Sequence, residues 1–321
     1  MNLLEFSKRF PDEKSCRNHI KTLRESRGIT CDNKNTTTGE KCGCTKHYWL
    51  EKIEKFQCSE CNSRTNLKSG TILENSKVDF RTWFMCIHLM TSIKKPFSSL
   101  ELQRQLGVKR YETVWYMMNK IRRSMGNRDE RYLLKGDIEV DDAFFEVVDL
   151  PKKDELGNII TEDLRRGRGS QRQQKVLVMV ESTPNPHQNN KHKKKRVLGF
   201  VKMIVIDELT SDEINYVVHK SIDPTSHIIS DGYRGYSQLD CVVDRHTPMR
   251  VRPEEAMIKL PWVHTVISNV KRELLGVHHS IGKDYLQNYL DEFCYKLNRR
   301  NFEVDLFDRM LICGSDEPWY I

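Results

Sequence analysis

The sequence predicts a multidomain chain of mixed α+β and α/β class, with a small cysteine-clamped module, a helical block and a larger sheet-containing domain. Six of the ten cysteines fall before residue 62, apolar residues recur at helical spacing between residues 77 and 127, and from residue 135 the period becomes that of strands. A length of 321 residues suits two or three units at about 100–200 residues each. The expected divisions are 1–72, 73–130 and 135–313.

Composition narrows the class. A hydrophobic content of 38% beside 31% charged residues is that of a water-soluble folded protein. The net charge of +8 suits a polyanionic partner. Glu5, Lys8 and Arg9 charge the start too early for a secretory signal, and no apolar run approaches the ~18 residues of a membrane span. The expectation is a cytoplasmic chain with no membrane partner, in which clustered cysteines point to metal ligation rather than to disulfides.

Residues 1–28 read as helical, with Pro11-Asp12-Glu13 as a helix start. Cys31, Cys42-Gly43-Cys44 and Cys58-Ser59-Glu60-Cys61 follow, separated by the strand-like segments Tyr48-Trp49-Leu50 and Lys55-Phe56-Gln57. Tetrahedral zinc needs four soft ligands held on two facing turns, so this pattern predicts an N-terminal zinc ribbon with structural zinc. Cys58 and Cys61 form a regular pair, whereas ten residues separate Cys31 from Cys42 and the Cys42-x-Cys44 spacing is tight. The expected ligands are Cys31, Cys42, Cys58 and Cys61, with residues 32–41 looping out; the competing set puts Cys44 in place of one of the first two. Lys46, His47 and Lys55 are candidate DNA contacts of this module.

In the helical block, Phe80, Trp83, Phe84, Ile87 and Met90 make an amphipathic face that reads as core. A short helix ending at Leu106, a turn at Gly107 and a long helix from Tyr111 to Met125 have helix-turn-helix spacing. Lys109, Arg110, Lys120, Arg122 and Arg123 make the second helix cationic and are expected to face DNA. Plain packing is the competing explanation, since helix-glycine-helix occurs in many bundles.

The strand expected over Gly136–Asp149 carries acids on both faces, at Glu139, Asp141, Asp142 and Glu146. Buried carboxylates are costly unless paired or bound to metal. The strand is therefore either a solvated edge or part of a metal site. A basic connection follows, which reads as a surface loop, although the sign of Arg166 and Arg168 in it suits a phosphate backbone. Strands over 175–180 and 197–206, a helix over 211–220 and a strand over 226–232 complete an α/β order. Asp231 ends that last strand, where open α/β sheets place their sites, and it lies ninety residues after Asp141. A helix from Pro261 to Gly276 stacks His264, Ser268 and Lys271 on one face. Two aspartates on neighbouring strands beside a histidine and a lysine suit a pair of divalent cations and phosphoryl transfer, with the lysine holding a phosphate.

A resemblance runs through these residues in order: Cys58-x2-Cys61, Ser69-Gly70-Thr71, Trp83-Phe84, Leu102 to Gly107, Ile138-Glu139-Val140-Asp141 and Gly167-Arg168-Gly169-Ser170. It continues through Ser230-Asp231-Gly232-Tyr233, Trp262-Val263-His264, Asn269-Val270-Lys271-Arg272, Gly276, Tyr289 to Phe293 and Asn298-Arg299-Arg300. The chain resembles bacterial insertion-sequence transposases that carry an N-terminal zinc ribbon and an ISXO-type DDE integrase domain. The resemblance implies an RNase H-like mixed sheet flanked by helices, with Asp141 and Asp231 as the first two catalytic acids, both on magnesium or manganese, and Lys271 beside them. It also implies double-stranded DNA partners (inverted-repeat ends and target), a homodimer or higher oligomer on DNA, and a place at the bacterial nucleoid.

At the third catalytic position the sequence departs from the general pattern. A glutamate seven residues before the lysine would fall at His264, a position where relatives use asparagine, histidine or glutamate. Asn269 is the other candidate, with Glu254 or Glu255 more remote. A neutral imidazole prefers softer metals than magnesium. The competing function is a DNA-binding regulator derived from such an enzyme, with an inactive α/β domain.

Overall fold

The computed structural model describes residues 1–34, 39–147, 173–185, 195–249, 255–278, 281–302 and 305–315. Arg166, Arg168, the Gly167–Ser170 motif and Glu254 lie outside the described residues. The chain divides into two compact units rather than the three expected, one of Met1–Met125 with Asn301–Ile321 and one of Gly126–Arg300.

In the first unit, α1 (Leu3–Arg9) starts at an Asn2–Glu5 capping box. Pro11 interrupts the chain, and α2 (Glu13–Arg27) restarts it with the Asp12 side chain accepting from the Ser15 N–H. A three-stranded antiparallel sheet follows, made of β1 (His47–Leu50), β2 (Lys55–Cys58) and β3 (Arg64–Asn66). Helix α3 (Phe80–Ser92) buries Phe80, Trp83, Phe84, Ile87 and Met90, the face its spacing predicts. Helix α4 (Ser99–Leu106) stops at Gly107, whose φ of +64° is left-handed and favours glycine. Helix α5 (Tyr111–Glu130) begins in this unit, and the division falls within it, after Met125.

The second unit is built on a five-stranded mixed sheet. Its strands are β4 (Asp137–Glu146), β5 (Gln173–Pro184), β6 (Arg196–Ile206), β7 (His227–Asp231) and β8 (Arg245–Met249), in the spatial order β6-β5-β4-β7-β8. The hairpin-like pairs β4–β5 and β5–β6 are antiparallel, while β4–β7 and β7–β8 are parallel. Parallel pairing needs a crossover, and α6 (Ser211–Ser221) supplies it between β6 and β7. After the short α7 (Ala256–Lys259) come α8 (Pro261–Val277) and α9 (Leu286–Asn298).

One face of the sheet buries Ala143, Phe145, Val178 and Val201 under Val263, Val266 and Val270 of α8 and Leu290 and Phe293 of α9. The other buries Ile138, Val140, Leu177 and Ile228 with Ile214 and Val218 of α6 and with Tyr236. Covered on both faces, β4 sits in the middle of the sheet, so the solvated-edge reading of its acids does not hold.

The last helix, α10 (Leu306–Gly314), was expected in the C-terminal domain but belongs to the first unit. Its Phe307 lies against Phe6, Phe10 and Phe84, the Ile72 N–H donates to the Gly314 carbonyl at 2.9 Å, and Arg9 pairs with Asp308 at 2.8 Å. The apolar face Leu306, Phe307, Met310 and Leu311 is buried there. Burial decides where such a face goes, and position in the sequence does not.

Candidate functional site

Alternation along β4 sends Ile138 and Val140 to the α6 side and Glu139, Asp141, Ala143 and Phe145 to the α8 side. The parallel register pairs Glu139 with Ile229 and Val140 with Ser230, so the next position along each strand is Asp141 on β4 and Asp231 on β7. Both carboxylates therefore project at the same level and toward α8. Burial, then the charges of Asp142 and Asp231, push the Asp141 carboxyl up to about 7, with its own Oδ1 accepting from the Asp142 N–H and Lys271 acting in the opposite sense.

Helix α8 supplies the remaining groups. His264 Nδ1 is 3.4 Å from Asp141 Oδ2. Burial lowers its imidazole pKa, which favours the neutral ring, and Asp231 opposes this. Lys271 is exposed, with Nζ 5.5 Å from the centre of the Phe145 ring, and its charge reaches Asp141. Ser268 is also exposed. Asn269 lies on the solvent side, its Oδ1 accepting from the Arg272 guanidinium at 2.8 Å, and no contact joins it to either aspartate. Glu255 pairs with Lys259 at 2.7 Å.

Two further residues lie beside this group: Glu139, which the sequence reads as a supporting or solvated acid, and Tyr236, to which it assigns no role. Glu139 is 3% exposed, and its Oε2 accepts from the N–H groups of Trp262 (2.8 Å) and Val263 (3.0 Å), the first turn of α8. The signal for it was present: an acid two positions before Asp141, hence on the same face, and Pro261 marking a helix start. Tyr236, fully buried on the other side of the sheet, donates to Asp142 Oδ1 at 3.3 Å, so Asp142 is held away from the Asp141 side. Nothing local in the sequence announces that contact.

In the first unit, the Sγ atoms of Cys31, Cys42, Cys58 and Cys61 all lie within 4.8 Å of one another. Cys31 and Cys61 are 3.4 Å apart, and Cys42 and Cys58 are 3.8 Å apart. A tetrahedron with Zn–S bonds of about 2.3 Å has edges of about 3.8 Å, so the cluster is compatible with zinc. The long first spacing is closed by a bridge between Lys34 and Lys41 and by the Cys42 N–H donating to the Asn33 carbonyl, which brings Cys42 back to Cys31. Cys44 stays outside, against Ser59 Oγ at 3.3 Å.

The cationic residues assigned to DNA divide by exposure. Lys109, Arg110 and Arg123 are exposed. Lys120 donates to the Glu74 carbonyl at 3.1 Å, and Arg122 is completely buried. Arg122 thus cannot meet a phosphate as expected: basic residues one position apart on a helix, here Arg122 and Arg123, point to different environments.

Residues 133–298, just over half of the chain, match the ISXO2-like transposase domain. The chain belongs to the ISXO2-like transposase family. A protein of Halobacterium salinarum, described as an uncharacterized protein in transposable element ISH50, is 23% identical to this transposase over 290 residues, spanning 89% of this chain and 91% of the relative. Among solved structures, a pre-cleavage Mos1 transpososome aligns with a TM-score of 0.29 at 11% identity, covering 74% of this chain and 79% of that one. The Mos1 transposase paired-end complex with the left transposon end gives 0.30 at 9% identity, over 73% and 78% of the two chains. Among the described residues of this transposase, no helix is long and apolar enough to cross a membrane.

Proposed function

We propose that this transposase binds the ends of its insertion sequence and cuts and joins DNA by metal-dependent, in-line phosphoryl transfer at Asp141, Asp231 and His264. The observation that carries the reading is the β4–β7 register, which sets two carboxylates side by side under a helix bearing a histidine and a lysine. The strand order, with three antiparallel strands followed by two parallel ones, supports the RNase H-like arrangement that the sequence resemblance implies.

The donor set fits magnesium or manganese. Two crowded carboxylates, one of them pushed up toward neutrality, are short of positive charge, which a hard divalent cation supplies. Asp141 and Asp231 would hold it, with His264 as third ligand. When bound, such ions supply charge neutralisation for displacement at a phosphodiester. Lys271, at the mouth of the site, would bind the phosphate as a point charge, and neutral His264 would add a donor without adding a third negative charge. Cys31, Cys42, Cys58 and Cys61 would hold structural zinc. Lys109, Arg110 and Arg123, with the helix-turn-helix region, would contact double-stranded DNA, and joining two ends implies at least a homodimer at work.

His264 in place of an acid favours a second reading, an inactive DNA-binding regulator. The two separate on cleavage and strand transfer of DNA carrying the element ends, in magnesium and in manganese, with Asp141→Asn and Asp231→Asn as controls. Cleavage by the wild type alone supports the enzyme; binding of the ends without cleavage in either metal supports the regulator.

A further inference from the structure

Helix α8 carries His264 and Lys271, yet its first turn has no side-chain cap of its own: Leu260 stands at the N-cap and Pro261 at the first position. The free N–H groups of such a turn need acceptors when buried. They find one far away in sequence, in Glu139 on β4, whose single Oε2 atom takes both the Trp262 and Val263 N–H groups. Ser182 of β5, which accepts from Arg196 Nε at 2.8 Å, stands beside the Glu139 carboxylate. Glu139 is thereby fixed from the sheet side and fixes α8 from the helix side. Trp262 and Val263 immediately precede His264, and Glu139 immediately precedes Val140 and Asp141, so the two bonds tie the residues next to both partners of the 3.4 Å contact.

We propose that Glu139 is a positioning residue: by holding the first turn of α8 against β4, it sets His264 beside Asp141 so that the two can share one cation. It touches no substrate and no metal. This rests on the metal-site reading above and adds to it the part that aligns the third ligand. A backbone anchor suits the task because the N–H groups of a helix move with the helix, so two bonds fix both its depth and its rotation, whereas a side-chain contact leaves rotamers free.

The test uses full-length protein with manganese as a paramagnetic probe. Added Mn2+ is expected to broaden the NMR signals of the His264 ring in the wild type, and in Glu139→Gln, whose amide oxygen can still accept both N–H bonds. In Glu139→Ala the broadening is expected to weaken, the manganese concentration for half-maximal cleavage to rise by about tenfold or more, and affinity for end DNA to stay within about twofold. In a His264→Ala background the further loss from Glu139→Ala should nearly vanish, because one alignment cannot be lost twice. Equal broadening of His264 in wild type and Glu139→Ala, or cleavage losses that multiply in the double variant, would overturn the positioning role while leaving the metal site intact. Absence of broadening in the wild type would overturn the metal-site reading itself, and this inference with it. Should Glu139→Ala fail to fold, loss of His264 broadening in Glu139→Gln counts against the proposal and its retention counts for it.

Discussion

Nδ1 of His264 lies 3.4 Å from Oδ2 of Asp141, and the next residue of β7 at that level is Asp231. An imidazole thus stands where a third carboxylate would add a further negative charge to a pair already in conflict. Burial lowers its pKa, so it offers a neutral nitrogen at physiological pH.

Replacing that ring is informative in one direction. His264→Glu is expected to retain or increase cleavage of end DNA in magnesium, since a hard oxygen ligand suits that ion better than nitrogen does. His264→Ala is expected to lower it by about 10²-fold. Asn269→Ala should change it less than about twofold, because Asn269 faces Arg272 and not the aspartates. Rates in magnesium and manganese with the three variants decide the third ligand; a large loss in Asn269→Ala alone would move the assignment.

Asp141 links function to stability, with a definite sign. Its carboxyl is pushed up to about 7 in the fold, against about 4 in an unfolded chain. The folded state therefore holds a proton that the unfolded state has released, and stability falls as pH rises from about 4 to about 7. Asp141→Asn removes this strain. At pH 8 without divalent metal it is expected to raise Tm by a few degrees, the gain shrinking toward pH 4, while abolishing cleavage. Added manganese should raise the Tm of the wild type and not of the variant. Calorimetry across pH and metal concentration reads the three stability effects, and a cleavage assay on end DNA the fourth.

For the cysteine cluster, purified protein is expected to carry about one zinc ion per chain, measured by elemental analysis. Cys61→Ser should lose it, and chelation should melt the β1–β3 module, because the bound ion contributes folding free energy where the apolar core is small. Cys44→Ser should keep the metal, since its sulfur contacts Ser59 and lies outside the cluster. Loss of zinc in Cys44→Ser with retention in Cys42→Ser would reverse the assignment.

On α5 and in the turn that leads into it, exposure separates two kinds of basic residue. Lys109→Ala and Arg110→Ala are each expected to weaken DNA binding and to reduce the slope of log affinity against log salt by about 1. Arg122→Ala should instead lower stability by roughly 2–4 kcal/mol, through lost packing of a completely buried side chain. Unchanged salt dependence in the two exposed variants would remove this face from the DNA contact.

Much of this molecule is legible in its local sequence patterns. The Cys58-x2-Cys61 spacing, the Phe80–Met90 stripe, the change to strand periodicity near residue 135 and the Pro261 helix start are local patterns, and each gave an element of the expected type. The tight Cys42-x-Cys44 spacing told only that the two do not both join the cluster; the Lys34–Lys41 bridge and the 3.8 Å approach of Cys42 to Cys58 decide which one does. Arg122 and α10 were misplaced for one reason: charge and apolarity tell what a side chain prefers, and not which neighbour supplies it.

By itself, then, the sequence named the candidate residues: the acids of β4, Asp231 at a strand end, and a histidine and lysine on one helix face. Only the tertiary structure decided which of them meet. Strand register is fixed by packing of the whole sheet, and a shift of one residue would turn Asp141 to the opposite face. That register is what brings Asp141 level with Asp231, turns Asp142 toward Tyr236, and carries Glu139 to the first turn of α8.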